Sequence, residues 1–311
     1  MGWISHSSLS LRRRGLGLGE LVPPDTSYTS YWFSKFCGAI IIIMKKLFSK
    51  ITHWCLDLVF PKYCLGCGQE GFYLCAGCAA SLPTLTGANC FICGRRSPTG
   101  YACDNCRRAH CSLLSGILIA SDWNNLLLRQ IIYEYKYRFV KELAAPLSQL
   151  MIAFLERTNF VNMFGGSNIN VLLIPVPLHG RRLAWRGFNQ SKLLAQKVND
   201  HFNLPLLNNI LIRSRHTLPQ REITDQKTRT ANIQNAFALA ENYSHLPSLR
   251  SPLERSEAIP RDVAQNLNPL KNKIIILIDD ICTTGATFQD CARALAPLNP
   301  KEIWGLVIAR G

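Results

Sequence analysis

From Ser115 to the end of the chain, apolar positions are spaced in two alternating ways. Short continuous runs, Ile117 to Ala120, Val171 to Ile174, Ile274 to Ile278 and Ile303 to Ala309, have the length and β-branched content of strands buried on both faces. Between them, Leu126 to Tyr137, Leu143 to Leu155, Asn189 to Val198 and Thr287 to Leu295 repeat their apolar residues at helical spacing. Gly165 and Gly166 punctuate one connection. Strands alternating with helices predict an α/β fold, a mainly parallel sheet flanked by helices.

Upstream the pattern is lost. Residues 1–43 mix an Arg12-Arg13-Arg14 run, Gly15, Gly17, Gly19 and a Pro23-Pro24 pair with a short apolar stretch. That stretch lacks a small-residue cleavage site behind it and falls short of the about 20 apolar residues a membrane span needs. Met44-Lys45-Lys46-Leu47-Phe48 reads as a natural start, with an amphipathic run through Leu58, so 1–43 is expected to be a mis-assigned or disordered extension. The expected organisation is this extension, a Cys-rich module over 44–112, and an α/β domain over 113–311. Within the last, the polar, Pro-containing stretch 241–271 reads as an insertion loop.

The cysteines define the middle module. Eight of the thirteen form four C-x-x-C pairs: Cys64/Cys67, Cys75/Cys78, Cys90/Cys93 and Cys103/Cys106. Each pair is a tight turn aiming two thiolates at one centre, and Zn²⁺ takes four such ligands in a tetrahedron. Gly68 and Gly94 follow two of the second cysteines, where the backbone must fold around charged sulfur. Eight thiolates hold two ions, paired sequentially or cross-braced, or one ion with the remaining four structural; spacing does not choose. His110 and Cys111 lie just outside and read as substitute ligands or as ordinary surface residues. An all-cysteine site is closed, so its role is structural, and reduced thiols point to the cytoplasm.

Charge adds a partner class. The formal net charge of +15 favours a polyanion, either nucleic acid or a phosphorylated small molecule, and removing 1–43 leaves it strongly positive. Lys62, Arg95, Arg96, Arg107 and Arg108 would give the Cys-rich module a basic face toward nucleic acid, against the plainer reading of a solvated surface.

The segment Ile274-Ile275-Ile276-Leu277-Ile278-Asp279-Asp280-Ile281-Cys282-Thr283-Thr284-Gly285-Ala286-Thr287 runs from a buried strand through two carboxylates into a Thr/Gly loop and a helix. Backbone amides at the helix start receive a phosphate, Thr283, Thr284 and Thr287 add hydroxyl donors, and Gly285 with Ala286 permits close approach. Asp279 and Asp280 sit where they can accept from ribose hydroxyls or orient a Mg²⁺-bound water. No glycine-rich loop ending in Lys-Ser/Thr occurs, which excludes a P-loop nucleotide hydrolase.

This segment resembles the signature of type I phosphoribosyltransferases. With Ile174 to Gln190, the stretch Arg213 to Gln220 and the cysteine module, the chain resembles the competence protein F family over Phe60 to Arg310. The resemblance implies zinc knuckles fused to a phosphoribosyltransferase fold that binds phosphoribosyl pyrophosphate with Mg²⁺, acting in natural transformation after DNA enters the cytoplasm. It further implies that Pro175 and Val176 belong to the loop meeting the pyrophosphate, that Arg181, Arg182 and Arg186 neutralise it, and that Arg213 to Arg229 form a hood over the substrate. Asp279, Asp280 and Arg186 are the catalytic candidates. The long insertion at 241–271 departs from the family pattern but leaves these motifs intact.

Neither Met1 nor Met44 precedes a cysteine, so an N-terminal glutaminase is missing, and no base-specific hood is recognisable. The rival reading is a non-catalytic protein that senses phosphate or grips single-stranded DNA, with Tyr133, Tyr135, Tyr137 and Trp185 offered for base stacking alongside DNA-uptake proteins as partners.

Overall fold

The computed structural model describes residues 61–97, 100–160, 170–215, 234–244 and 268–311. The extension 1–43, the amphipathic run that follows it, the Gly165-Gly166 pair and most of both the hood and the insertion lie outside the described residues. From Lys62 onward the chain forms one compact unit.

Two short helices, α1 (Ala76–Ala80) and α2 (Asp104–Ala109), lie in the Cys-rich module. The α/β part follows as β1 (Gly116–Ser121), α3 (Leu126–Tyr137), α4 (Ala144–Arg157), β2 (Val171–Pro175), α5 (Gly180–Arg186), α6 (Gln190–Phe202), β3 (Leu211–Arg213), β4 (Phe237–Leu239), α7 (Glu241–Ser244), β5 (Ile274–Ile278), β6 (Ile281–Cys282), α8 (Ala286–Leu295) and β7 (Glu302–Arg310). The main sheet has the order β1-β7-β5-β2, all parallel, with β6 also paired to β7. The predicted parallel sheet flanked by helices is therefore present, and no helix among the described residues is long and apolar enough to cross a membrane.

Helix limits follow local chemistry. The Asn125 side chain accepts from the Leu128 amide at 2.8 Å and starts α3, while Asn189 accepts from Ser191 and Lys192 and starts α6. Asn203 ends α6 in the left-handed conformation. Two elements had no clear signal in the sequence. Helix α5 is only seven residues long with no buried side chain, and the strands of the β3–β4 hairpin are separated by 23 residues of chain.

Strand β5 is apolar at all five positions because both its faces are covered. Ile274, Ile276 and Ile278 join one core with residues of α3, α4 and α6; Ile275 and Leu277 join a second with α8. The Cys-rich module straddles the sheet. Leu82 and Ala88 belong to the first core, whereas Cys90, Phe91 and Ala102 belong to the second. The module crosses at β1, where the Leu85 amide donates to Ala120 O (2.9 Å) and the Ala102 amide to Ser115 O (2.7 Å). Trp304, fully buried in β7, packs edge-on against Tyr101 and shares the Glu302 carboxylate with its hydroxyl.

Gly116 is where that crossing is tightest. A Cβ there would lie 2.2 Å from Gly100 O and 2.5 Å from the Trp304 ring. Gly116→Ala is expected to destabilise the protein by about 2–4 kcal/mol, because backbone and a fully packed ring must both move. A urea midpoint equal to wild type would show that the crossing has slack.

Candidate functional site

The carboxyl ends of adjacent strands β2 and β5 meet in register, Pro175 opposite Ile278, and the Val176 amide donates to Ile278 O at 2.9 Å. Ligands of open α/β sheets bind outside such strand ends. Here the apolar strand β5 hands over to Asp279 and Asp280, and the chain then passes through β6 and Thr283-Thr284 to Gly285. Gly285, at φ +84°, precedes α8 and brings no side-chain acceptor of its own, while the Ala286 amide donates to Thr284 Oγ1 at 3.3 Å.

The two carboxylates have different surroundings. Asp280 is buried; one oxygen accepts from the Ile281 amide (2.7 Å) and from Lys136 Nζ of α3 (2.9 Å). Asp279 is half-buried, and its Oδ1 accepts from the Ser191 hydroxyl (2.8 Å) and the Asp280 amide (2.9 Å). Burial, and then the charge of Asp280, push the Asp279 carboxyl up to about 7, against the pull of Lys136 and the two hydrogen bonds.

Arg213 feels the charge of Asp279 and of two further arginines. Arg186 lies over the rings of Tyr137 (5.8 Å) and Trp185 (6.0 Å), and its Nη1 donates to Gln190 Oε1 at 3.0 Å. Its Nε is buried with no protein partner among the described residues. Arg213, over the Phe237 ring at 5.2 Å, has its pKa lowered by burial and then by the charge of Arg182, with Arg186 adding to the effect and Asp279 opposing it. Arg182, Arg186, Arg213 and Asp279 thus share one electrostatic neighbourhood. Arg181 stands exposed on α5, which is capped by His179 Nδ1 accepting from the Arg181 amide.

The cysteines form two clusters, Cys64/Cys67/Cys75/Cys78 and Cys90/Cys93/Cys103/Cys106, with all sulfurs of a cluster within 4.8 Å of one another. The pairing is sequential, and His110 and Cys111 stand outside it. Tetrahedral zinc with thiolates at ~2.3 Å needs sulfurs about 3.8 Å apart. Cys67 and Cys75 are 3.7 Å apart, Cys93 and Cys103 3.8 Å. The clusters duplicate one another. In each, the first cysteine is buried and receives the amide of the third, at 3.3 and 3.4 Å, and a glycine of positive φ, Gly68 or Gly94, closes the first turn.

Burial works against ionising Cys64 and Cys90, but backbone amides outweigh it and lower both to about 6. Cys78 and Cys106 are instead pushed up to about 12, first by hydrogen bonding to neighbouring sulfurs. Four thiolates therefore need a cation between them, which the zinc assignment supplies.

Several of these partners escaped the sequence reading. Lys136 of α3 and Ser191 of α6 lie far from Asp279 and Asp280 in sequence and carry no spacing that marks them, whereas Gln190, the partner of Arg186, closes the Ile174 to Gln190 stretch. Tyr135 was a candidate for base stacking; it is buried, and its hydroxyl donates to Gln190 O at 2.9 Å. Tyr133 and Trp185 are exposed, and Tyr133 rests against Tyr137 at 5.0 Å. Among the basic residues of the Cys-rich module, Lys62 is engaged with Glu142 at 2.9 Å.

Residues 55–107 match the double zinc ribbon domain. The chain is 29% identical over 243 residues to competence protein F of Haemophilus influenzae, covering 76% of this chain and 90% of that protein. It is 25% identical over 230 residues to competence protein ComFC of Bacillus subtilis, covering 71% and 77%. It is 24% identical over 235 residues to DNA utilization protein YhgH of Escherichia coli, covering 71% and 90%.

Two measurements follow from this geometry. Atomic emission should find two zinc ions per purified chain; one would mean that a cluster lacks its metal. The second concerns pH. Asp279 titrates near 7 in the fold against an ordinary 3.8, so between these values the folded chain holds a proton that the unfolded chain has lost. Stability is then highest below the lower value and declines as pH rises to about 7. Asp279→Asn should raise the urea midpoint at pH 8 and leave it unchanged at pH 4; no gain at pH 8 would refute the assignment.

Proposed function

Starting from kinship with competence protein F and from its double zinc ribbon, we propose that the chain binds phosphoribosyl pyrophosphate at the ends of β2 and β5. In this reading it is a phosphoribosyltransferase-like protein serving DNA uptake, in line with the competence and DNA-utilization names of its relatives. The observation that carries this is one neighbourhood holding the glycine-led start of α8 at Gly285, an acid pair at Asp279 and Asp280, and the arginines Arg182, Arg186 and Arg213.

Each group has a part. The 5-phosphate meets the start of α8, with Thr283, Thr284 and Thr287 beside it and Ala286 and Gly285 leaving room. The half-buried Asp279 accepts from the ribose hydroxyls, and Asp280, neutralised by Lys136, fixes the turn that presents it. Arg182, Arg186 and Arg213, with Arg181 at the outer edge, face the pyrophosphate beside Pro175 and Val176. Asp279 Oδ2 is the acidic oxygen available to Mg²⁺, which would enter on the ligand's phosphates and offset the charge of departing pyrophosphate. Transfer breaks the bond between the anomeric carbon and a pyrophosphate oxygen and forms one to an acceptor. Positioning and electrostatics supply the gain. Eight reduced thiols suit a cytoplasmic setting.

A second reading has its own support. Arg186 lies over Tyr137 and the exposed Trp185, exposed Tyr133 rests against Tyr137, and the net charge is +15, so a non-catalytic protein gripping single-stranded DNA fits the same face.

Calorimetric titration of phosphoribosyl pyrophosphate with Mg²⁺ decides between them. Wild type should bind, the Asp279→Asn/Asp280→Asn double variant should lose binding, and Arg186→Ala should weaken it about tenfold, or ~1.4 kcal/mol. No binding by wild type, together with a DNA affinity that falls steeply with salt, would favour the second reading.

A further inference from the structure

The two ribbons are near copies, yet the sheet sets them in different company. The residue after the first cysteine of ribbon one, Leu65, packs on the face that carries α3, α4 and α6. Its counterpart in ribbon two, Phe91, is buried on the other face and lies against the phosphate loop: a Cβ built at Gly285 would be 3.7 Å from the Phe91 ring. Arg310 ties the two backbones together, donating from Nη1 to Phe91 O (2.6 Å) and from Nε to Thr283 O (3.1 Å). A third link follows ribbon two in the chain, where Gln289 of α8 donates to the Ser112 hydroxyl (2.6 Å) and accepts from the Leu113 amide (3.3 Å).

We propose that the second ribbon is a wall of the phosphate site, so that metal in the Cys90/Cys93/Cys103/Cys106 cluster sets the order and affinity of the 283–287 loop, whereas metal in the first cluster does not. The ligand side of this inference rests on the reading that this loop takes a sugar phosphate. The physical route is short. Phe91 is held by the turn from Cys90 to Cys93, and that turn lacks a core of its own, so its shape depends on the metal. Loss of the ion frees the turn, withdraws the ring from Gly285 and removes the acceptor that orients Arg310. The loop is then no longer held in its phosphate-binding shape, and binding must supply the ordering itself. In ribbon one the same loss loosens Leu65, on the far side of the sheet from α8.

The test uses the full chain in three variants, with zinc content, amide hydrogen exchange over 283–287 and ribose 5-phosphate titration as readouts. Cys106→Ser should hold one zinc fewer, exchange faster at the loop and bind about tenfold or more weakly. Cys78→Ser should also hold one zinc fewer but keep loop exchange and affinity within about twofold of wild type, as distant sites do. Arg310→Ala should keep both ions and still reproduce the faster exchange and weaker binding, which separates positioning of the loop from general folding. Equal effects of Cys78→Ser and Cys106→Ser, or a wild-type loop in Arg310→Ala, would overturn the inference. If Cys106→Ser does not fold, Arg310→Ala decides alone. If wild type fails to bind ribose 5-phosphate, the sugar-phosphate reading falls, and the exchange comparison still decides the coupling.

Discussion

Strand β5 is hydrogen-bonded to a parallel neighbour on each side and covered on each face, and its carboxyl end is where the chemistry begins. Five consecutive apolar residues can be buried only if both faces are filled, and two different sets of elements fill them. Once β5 is fixed, Asp279 and Asp280 have little freedom, because Asp279 N and the carbonyl of Asp280 are still paired to β7 at Leu306 and Ile308.

The acid pair shows how tertiary structure edits a motif. Two adjacent carboxylates look interchangeable in sequence, but Lys136 forms its ion pair with Asp280, and the Ser191 hydroxyl donates to Asp279. One becomes an anchor whose charge is matched, and the other is a partly open acceptor with a raised affinity for protons. A like-charge pair in one turn is tolerable because a cation from α3 compensates it.

Strong local patterns were legible. The limits of Leu126–Tyr137 and Ile274–Ile278 could be read from periodicity alone, and four C-x-x-C pairs announced their clusters. Local pattern does not carry long-range pairing. Whether the cysteines pair sequentially, which of Tyr133, Tyr135 and Tyr137 is buried, and that α3 supplies the partner of Asp280 all depend on which face of the sheet each element meets. Helix α5 and the β3–β4 hairpin were illegible for a related reason. The first is too short for a period to show, and the second joins residues whose separation in the chain hides their pairing.

The crossing of the Cys-rich module at β1 has a consequence for solubility. β1 is an outer strand of the sheet, Gly-Ile-Leu-Ile-Ala-Ser, and its free side is occupied at both ends by main-chain bonds from Leu85 and Ala102. An uncovered apolar edge of that kind templates pairing with another copy. The ribbons therefore act as an edge guard, and a cell short of zinc would see this protein first as an aggregate.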